Sequence, residues 1–263
     1  MLKLVATDLD GTLLHTDGTV TDRTRAALTA VEALGVTVVF VTGRPVRWMD
    51  LLWEHVGDHG LAVCSNGGIV YDVAAHAVRS ARPIPVDVGL RVAGLMREAI
   101  PGTTFALEKT TGFGKEPAFM ERYPLPADIE VAPLDVLFDD RTVKLLARHE
   151  EADPEQFWTQ VEDLVGHLVT TTWSSAGALV EISAADVTKA STLALLCDEL
   201  GITSEEVVAF GDMPNDLAML GWVGTSYAMA NAHPSVLALA KGKAPSNEDD
   251  GVAAVLEELF HVG

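Results

Sequence analysis

Cysteine is scarce: Cys64 and Cys197 are the only two in 263 residues. They form no CxxC pair, which excludes a disulfide framework or a cysteine-built metal site and leaves two buried, reduced thiols as the expectation. Long apolar runs are missing as well. None reaches the roughly 18 to 20 residues that a bilayer span needs, and the opening MLKLVATDLDGT meets Asp8 too early for a signal peptide. The expected location is the cytoplasm. Positive charge is the third shortage: 18 Lys and Arg stand against 38 Asp and Glu, a formal net charge of -20. Such a surface repels nucleic acid and anionic membranes, so neither is an expected partner. Residues 83–186 carry 8 basic and 18 acidic side chains, so no basic domain hides in the total. The chain has no internal repeat or low-complexity tract, and no feature points to an oligomeric state.

Hydrophobic residues make up 48% of the chain, enough at this length for one large domain or a medium domain that carries a smaller one. Short apolar runs, each followed by a polar turn, alternate with helical patterns, as in α/β folds. Residues 2–7 read as a buried strand, 22–34 as a helix with Leu28, Val31 and Leu34 on one face, and 36–41 as a second strand. A helix over 189–200, a turn at Gly201 and a strand over 207–210 repeat the pattern. In a doubly wound parallel sheet the residues after the strands converge on one crevice. The pattern breaks at Arg82-Pro83-Ile84-Pro85. There follow a helix near 86–99, strands near 103–108 and 142–149, a helix near 154–165, and a hairpin of 167–173 with 178–183 turning at Ser174-Ser175-Ala176-Gly177. These predict an α+β domain over 83–186, inserted into a core made of 1–82 and 187–263. Residues 110–140, rich in Gly and Pro, carry the weakest signal.

Three strand ends carry chemistry. Asp8-Leu9-Asp10-Gly11-Thr12-Leu13-Leu14 places two carboxylates after the first strand, with Gly11 free to turn sharply; alone it reads equally as a turn with capping acids. Thr42-Gly43-Arg44 offers a hydroxyl, an approachable N–H and a guanidinium to phosphate oxygens, or simply a helix N-cap. Gly211-Asp212-Met213-Pro214-Asn215-Asp216 adds two carboxylates and an amide. Lys189 opens a helix, where the dipole disfavours a cation, so an inward role competes with a plain surface position. His15, near the first motif, reads more readily as a loop histidine than as a proton carrier.

In this order and spacing the residues resemble the four motifs of the haloacid dehalogenase-like superfamily. Ser65-Asn66-Gly67-Gly68, the run GDMPNDLAML, Ala228-Met229-Ala230-Asn231-Ala232 and Ser246-Asn247-Glu248-Asp249-Asp250-Gly251-Val252 extend the likeness to its Cof-type phosphatases. The place of the insertion is that of the type C2 cap, although the inserted residues themselves match poorly.

The resemblance implies a Rossmann-like, doubly wound parallel core with an inserted α+β cap, and a phosphatase of small phosphorylated metabolites such as sugar phosphates. It implies Asp8 as nucleophile, forming an aspartyl-phosphate, and Asp10 as acid and then base. Mg²⁺ would be held by the Asp8 side chain, the Asp10 carbonyl and the Asp212 side chain. Lys189, Thr42, Asn215 and the N–H groups of Leu9 and Gly43 would take phosphate oxygens. Asp216 would stand behind these as an acid partner or as a further ligand, and Arg44, Asn66 and Gly67 are possible substrate contacts. Two other functions compete: phosphoryl transfer to an alcohol, as in phosphomannomutase-like proteins, and a phosphate-binding protein without turnover. Substrate choice is expected from the cap, with Lys109, Lys115, Arg122, Lys144 and Arg148 as candidate contacts and hinges near 82–85 and 184–188.

Overall fold

The computed structural model describes residues 1–49, 60–122, 129–173 and 177–263. It divides into two compact units, Met1–Ser80 with Thr188–Gly263, and Ala81–Val187.

The first unit begins with β1 (Leu4–Thr7), whose four residues are all buried, as suits a central strand covered on both faces. Helix α1 (Asp22–Ala33) starts at Thr21, whose side chain accepts from the Thr24 N–H, a standard N-cap. Then come β2 (Thr37–Val41), β3 (Leu61–Cys64), β4 (Ile69–Asp72) and β5 (Ala77–Ala81). The last is exposed along its length and carries Arg79, a charge that blunts the open edge of a sheet.

The second unit contains α2 (Val86–Ala99), β6 (Thr104–Lys109), β7 (Gly112–Lys115), β8 (Glu130–Val131) and the short α3 (Leu134–Leu137). It continues with β9 (Thr142–Arg148), α4 (Pro154–Val165), β10 (Thr170–Thr172) and β11 (Leu179–Ser183). Its sheet runs β10-β11-β9-β6-β7-β8. Alternation along the strands sends Phe105, Leu107, Leu145, Ala147, Val180 and Ile182 into one core with the apolar stripes of α2 and α4. Ala106, Phe113, Phe119 and Leu146 form a smaller cluster of their own. The hairpin expected from 167–183 is present as β10 and β11, paired antiparallel; its expected turn at 174–176 lies outside the described residues. In the Gly- and Pro-rich stretch, β7 pairs back on β6.

All five basic residues proposed as cap contacts are engaged inside this unit. Lys109 Nζ lies 3.0 Å from Glu130 and 3.3 Å from Asp139. Lys115 donates to the Phe119 carbonyl at 2.8 Å, Arg122 pairs with Glu150 at 3.2 Å, and the buried Lys144 pairs with Glu181 at 2.8 Å. Arg148 lies over the Phe119 ring. At the two connections, Arg82 donates to the Asp186 carbonyl at 3.2 Å.

The chain returns to the first unit through α5 (Lys189–Leu200), capped by a reciprocal Thr188–Ser191 box and closed by Gly201 at φ 68°. After it come β12 (Val207–Gly211), α6 (Leu217–Trp222), β13 (Thr225–Met229), α7 (Pro234–Leu239), β14 (Gly242–Ala244) and α8 (Gly251–Phe260). The sheet order is β14-β13-β12-β1-β2-β3-β4-β5, parallel from β14 to β3. Strand order reverses between β1 and β12, the switch point at which open α/β sheets bind ligands. Cys64 and Cys197 are both buried and reduced. No helix among the described residues is long and apolar enough to cross a membrane.

Candidate active site

Four neighbouring strands end on the candidate residues: β12 leads to Asp212, β1 to Asp8, β2 to Thr42 and β3 to Ser65. Lys189, the first residue of α5, is 1% exposed, and its ammonium lies 2.7 Å from Asp8 Oδ1 and 2.7 Å from Asp216 Oδ1. The helix start is therefore an inward cation held by two acids, which offsets the unfavourable dipole. Asp216 is fully buried. Its second oxygen accepts the N–H groups of Asp212 and Met213, both at 3.1 Å, so it anchors Lys189 and the turn after β12 together. Asp212 accepts from the Thr12 hydroxyl at 2.8 Å. One carboxylate oxygen from each of Asp8, Asp212 and Asp216 lies within 4.8 Å of the others.

Asp10 points differently. Its side chain is 58% exposed and is forked by Arg44, Nε to Oδ2 at 2.8 Å and Nη2 to Oδ1 at 2.5 Å. Arg44, read as a possible substrate contact, thus meets Asp10 here. Thr42 Oγ1 accepts from the Arg44 N–H at 3.0 Å, fixing the turn after β2. The Leu9 carbonyl accepts the N–H groups of Thr12, Leu13 and Leu14, while the Leu9 N–H finds no acceptor among the described residues. Asn215 donates to Asn66 Oδ1 at 3.2 Å, and Asn66 Oδ1 lies 3.1 Å from where a side chain on Gly43 would begin. Ser65 and Asn66 both adopt the left-handed region, φ 54° and 55°, at a cost of about 1 kcal/mol or more for each non-glycine residue.

With this arrangement at the switch point, the likeness to known proteins has a structural counterpart: the family description of haloacid dehalogenase-like hydrolases matches residues 5–256. The chain belongs to that family. A relative named HMP-PP phosphatase, from Enterobacter sp. (strain 638), is 30% identical, with 90% of this chain and 88% of the relative covered. Pyridoxal phosphate phosphatase YbhA of Escherichia coli (strain K12) is 29% identical over 95% of this chain and 96% of its own. Among solved structures, SMU.1108c of Streptococcus mutans UA159 superposes with a TM-score of 0.86 at 23% identity, covering 99% of this chain and 100% of that one. With this family and with relatives of 30% identity named as phosphatases, this haloacid dehalogenase-like protein is a phosphatase, and its fold is an α/β, Rossmann-like core.

The electrostatics of the phosphatase site are those of a cluster short of positive charge. Burial pushes the Asp8 carboxyl well above the ordinary carboxylate range; Lys189 pulls it down, and Asp216 and Asp212 push it up again. Burial, then Asp216, raises Asp212 to about 6 against the pull of its Thr12 hydrogen bond and of Lys189. Burial alone would discharge Lys189, but Asp216 and Asp8 outweigh it and hold its pKa above the usual lysine value. The lysine keeps its proton, and one ammonium does not balance three carboxylates. A second cation would, and the donors are hard carboxylate oxygens that suit a divalent ion with oxygen ligands. Asp8 and Asp212 can hold it, whereas both oxygens of Asp216 are already engaged.

Several supporting contacts have no counterpart in the sequence reading. Gly11, at φ 76°, leaves room for Asp212: a side chain there would begin 2.9 Å from Asp212 Cγ. Asn231 donates to the Gly11 carbonyl at 2.8 Å, and Asn247 donates to the Leu14 carbonyl at 2.9 Å. His15 lies 3.2 Å from Asp250, which also accepts from the hydroxyls of Thr21 and Thr24 at 2.7 and 3.1 Å. These bonds tie the loop after Asp8 to the segments that follow β13 and precede α8. Amides and hydroxyls two hundred residues apart in sequence leave no spacing signal, though the Asn231 and Asn247 runs did stand out.

Proposed function

We propose that this phosphatase hydrolyses small phosphorylated metabolites, such as sugar phosphates, with Mg²⁺ and through a phospho-enzyme on Asp8. The observation that carries the reading is the buried Asp8–Lys189–Asp216 chain, with Asp212 beside it, at the end of β1. Mg²⁺ bound by the Asp8 side chain, the Asp10 carbonyl and the Asp212 side chain would screen nucleophile from phosphate dianion and polarise the phosphoryl oxygens.

The Asp8 carboxylate attacks phosphorus, the bond from phosphorus to the leaving oxygen breaks, and Asp10 gives that oxygen its proton. Water then attacks the phosphorus of the aspartyl-phosphate and gives a proton to Asp10, and phosphate leaves with Asp8 restored. Lys189 neutralises charge beside Asp8 throughout, and Asp216 keeps it there. Thr42, Asn215 and the N–H groups of Leu9 and Gly43 take phosphoryl oxygens. Arg44 exchanges Asp10 for a phosphoryl oxygen when substrate binds, which releases Asp10 to carry the proton. Because these residues serve the phosphoryl group, we assign discrimination between leaving groups to the inserted segment 83–186, with the core formed by 1–82 and 187–263. The acidic surface, with a formal net charge of -20, fits an enzyme acting on a small molecule and not on a polyanion, and we place it in the cytoplasm.

The test is phosphate release from a panel of phosphorylated metabolites, with Mg²⁺ and with EDTA. Release with Mg²⁺ that stops with EDTA is expected. No release from any member, or full release in EDTA, contradicts the proposal.

A further inference from the structure

The turn Ser65-Asn66-Gly67, which follows β3, belongs to none of the loops that carry Asp8, Thr42, Lys189 or Asp212, yet it is bonded to three of their neighbours. Toward β2, the Ser65 N–H donates to the Arg44 carbonyl at 2.9 Å and the Asn66 N–H to the Thr42 carbonyl at 3.0 Å. Toward α5, the Gly67 carbonyl accepts the Thr192 hydroxyl at 2.8 Å. At φ 106°, any side chain on Gly67 would also run into the Thr188 carbonyl, at the cap of the helix that begins with Lys189. Toward the turn after β12, Asn66 Oδ1 accepts the Asn215 amide at 3.2 Å.

Two further facts distinguish this turn from a simple connection. Ser65 and Asn66 are 0% and 1% exposed, and both hold a left-handed conformation that non-glycine residues adopt only when their surroundings enforce it. In addition, the Asn215 carbonyl oxygen and the Ser65 hydroxyl are buried without a hydrogen-bond partner among the described residues. Amide O and N are told apart by their bonding. Asn215 turns its Nδ2 to Asn66 Oδ1, and this leaves the second Nδ2 hydrogen for a ligand.

We infer that Asn66 is a positioning residue for phosphoryl transfer, which sets the Asn215 amide in register with the Thr42-Gly43 turn and the Lys189 helix. This rests on the function proposed above. Asn66 need not touch substrate; its effect passes through Asn215. Replacement by glycine tests this cleanly, because glycine accepts φ 55° and removes only the side chain.

The experiment is a double-mutant cycle of Asn66→Gly and Asn215→Ala, read as kcat/KM for p-nitrophenyl phosphate with Mg²⁺ and alongside each variant's melting temperature. Asn66→Gly should lose about 10- to 100-fold, by analogy with the loss of groups that orient ligands. In the Asn215→Ala background the same change should cost less than about 3-fold. Full additivity, or a loss that tracks melting temperature alone, overturns the inference while leaving the phosphatase reading intact. An inactive wild type overturns both.

Discussion

Gly11→Ala is the substitution whose effect can be worked out most directly from the structure. Gly11 has φ 76°, so alanine pays a left-handed backbone cost of about 1 kcal/mol. The new methyl would begin 2.9 Å from Asp212 Cγ and closer still to one of its oxygens. Backbone on one side and a short side chain on the other leave Asp212 to move. Turning it breaks the 2.8 Å bond from Thr12, worth about 1.5 to 3 kcal/mol because the acceptor is ionised. The sum, about 2.5 to 4 kcal/mol, corresponds to a fall of order 5 to 15 °C in melting temperature. The metal constant, read from the Mg²⁺ dependence of turnover and of thermal stability, should weaken about 10- to 100-fold. Gly18→Ala is the control: Gly18 has φ 82° and nothing within 4 Å of the added carbon. It should pay the backbone cost and leave the metal constant unchanged. Equal metal constants in both variants and the wild type would refute the argument that Gly11 makes room for a liganding Asp212.

Other outcomes follow from the same geometry. Asp10→Asn keeps the carbonyl and loses the proton carrier, so turnover should fall about 10²- to 10⁴-fold with Mg²⁺ affinity nearly unchanged; a large loss of metal binding in titration calorimetry would argue against that division of roles. Lys189→Met leaves three buried acids without the ammonium that lies 2.7 Å from two of them. It should abolish turnover and cost about 3 to 5 kcal/mol in chemical denaturation, and a stable, active variant would show the lysine to be dispensable. In metal-free buffer, Asp212 at about 6 binds a proton in the native state that the unfolded chain, with the ordinary value of 3.8, does not. Stability from this group is therefore present at low pH and lost as pH rises through 6, by up to about 3 kcal/mol for two units. Denaturation midpoints between pH 4 and 7 should fall with pH in the wild type and less steeply in Asp212→Asn, where the raised Asp8 alone remains; equal slopes would count against the shift.

Much of the core could be read from sequence because parallel strands covered on both faces are continuous apolar runs: residues 4–6, 38–41 and 207–211 carry no polar side chain. The strand ends were legible for the same reason, and Lys189 was marked by its placement at a helix start. What remained hidden depends on contacts between distant residues. The fork of Arg44 on Asp10, the bond from Thr12 to Asp212 and that from Asn215 to Asn66 join different loops. The same holds for the basic residues of the insertion: nothing in their spacing announces that Glu130, Asp139, Glu150 and Glu181 meet four of them within their own unit.

The central claim is that Asp8 takes the phosphoryl group. The most direct measurement is rapid acid quenching of the enzyme during turnover of its best panel substrate, followed by borohydride reduction and peptide mass spectrometry. Homoserine, which borohydride forms from an aspartyl-phosphate with loss of phosphate, is expected in place of Asp8, and is absent from Asp8→Asn, from EDTA-treated enzyme and from samples without substrate. A label on any other residue, or normal turnover by Asp8→Asn, would contradict it.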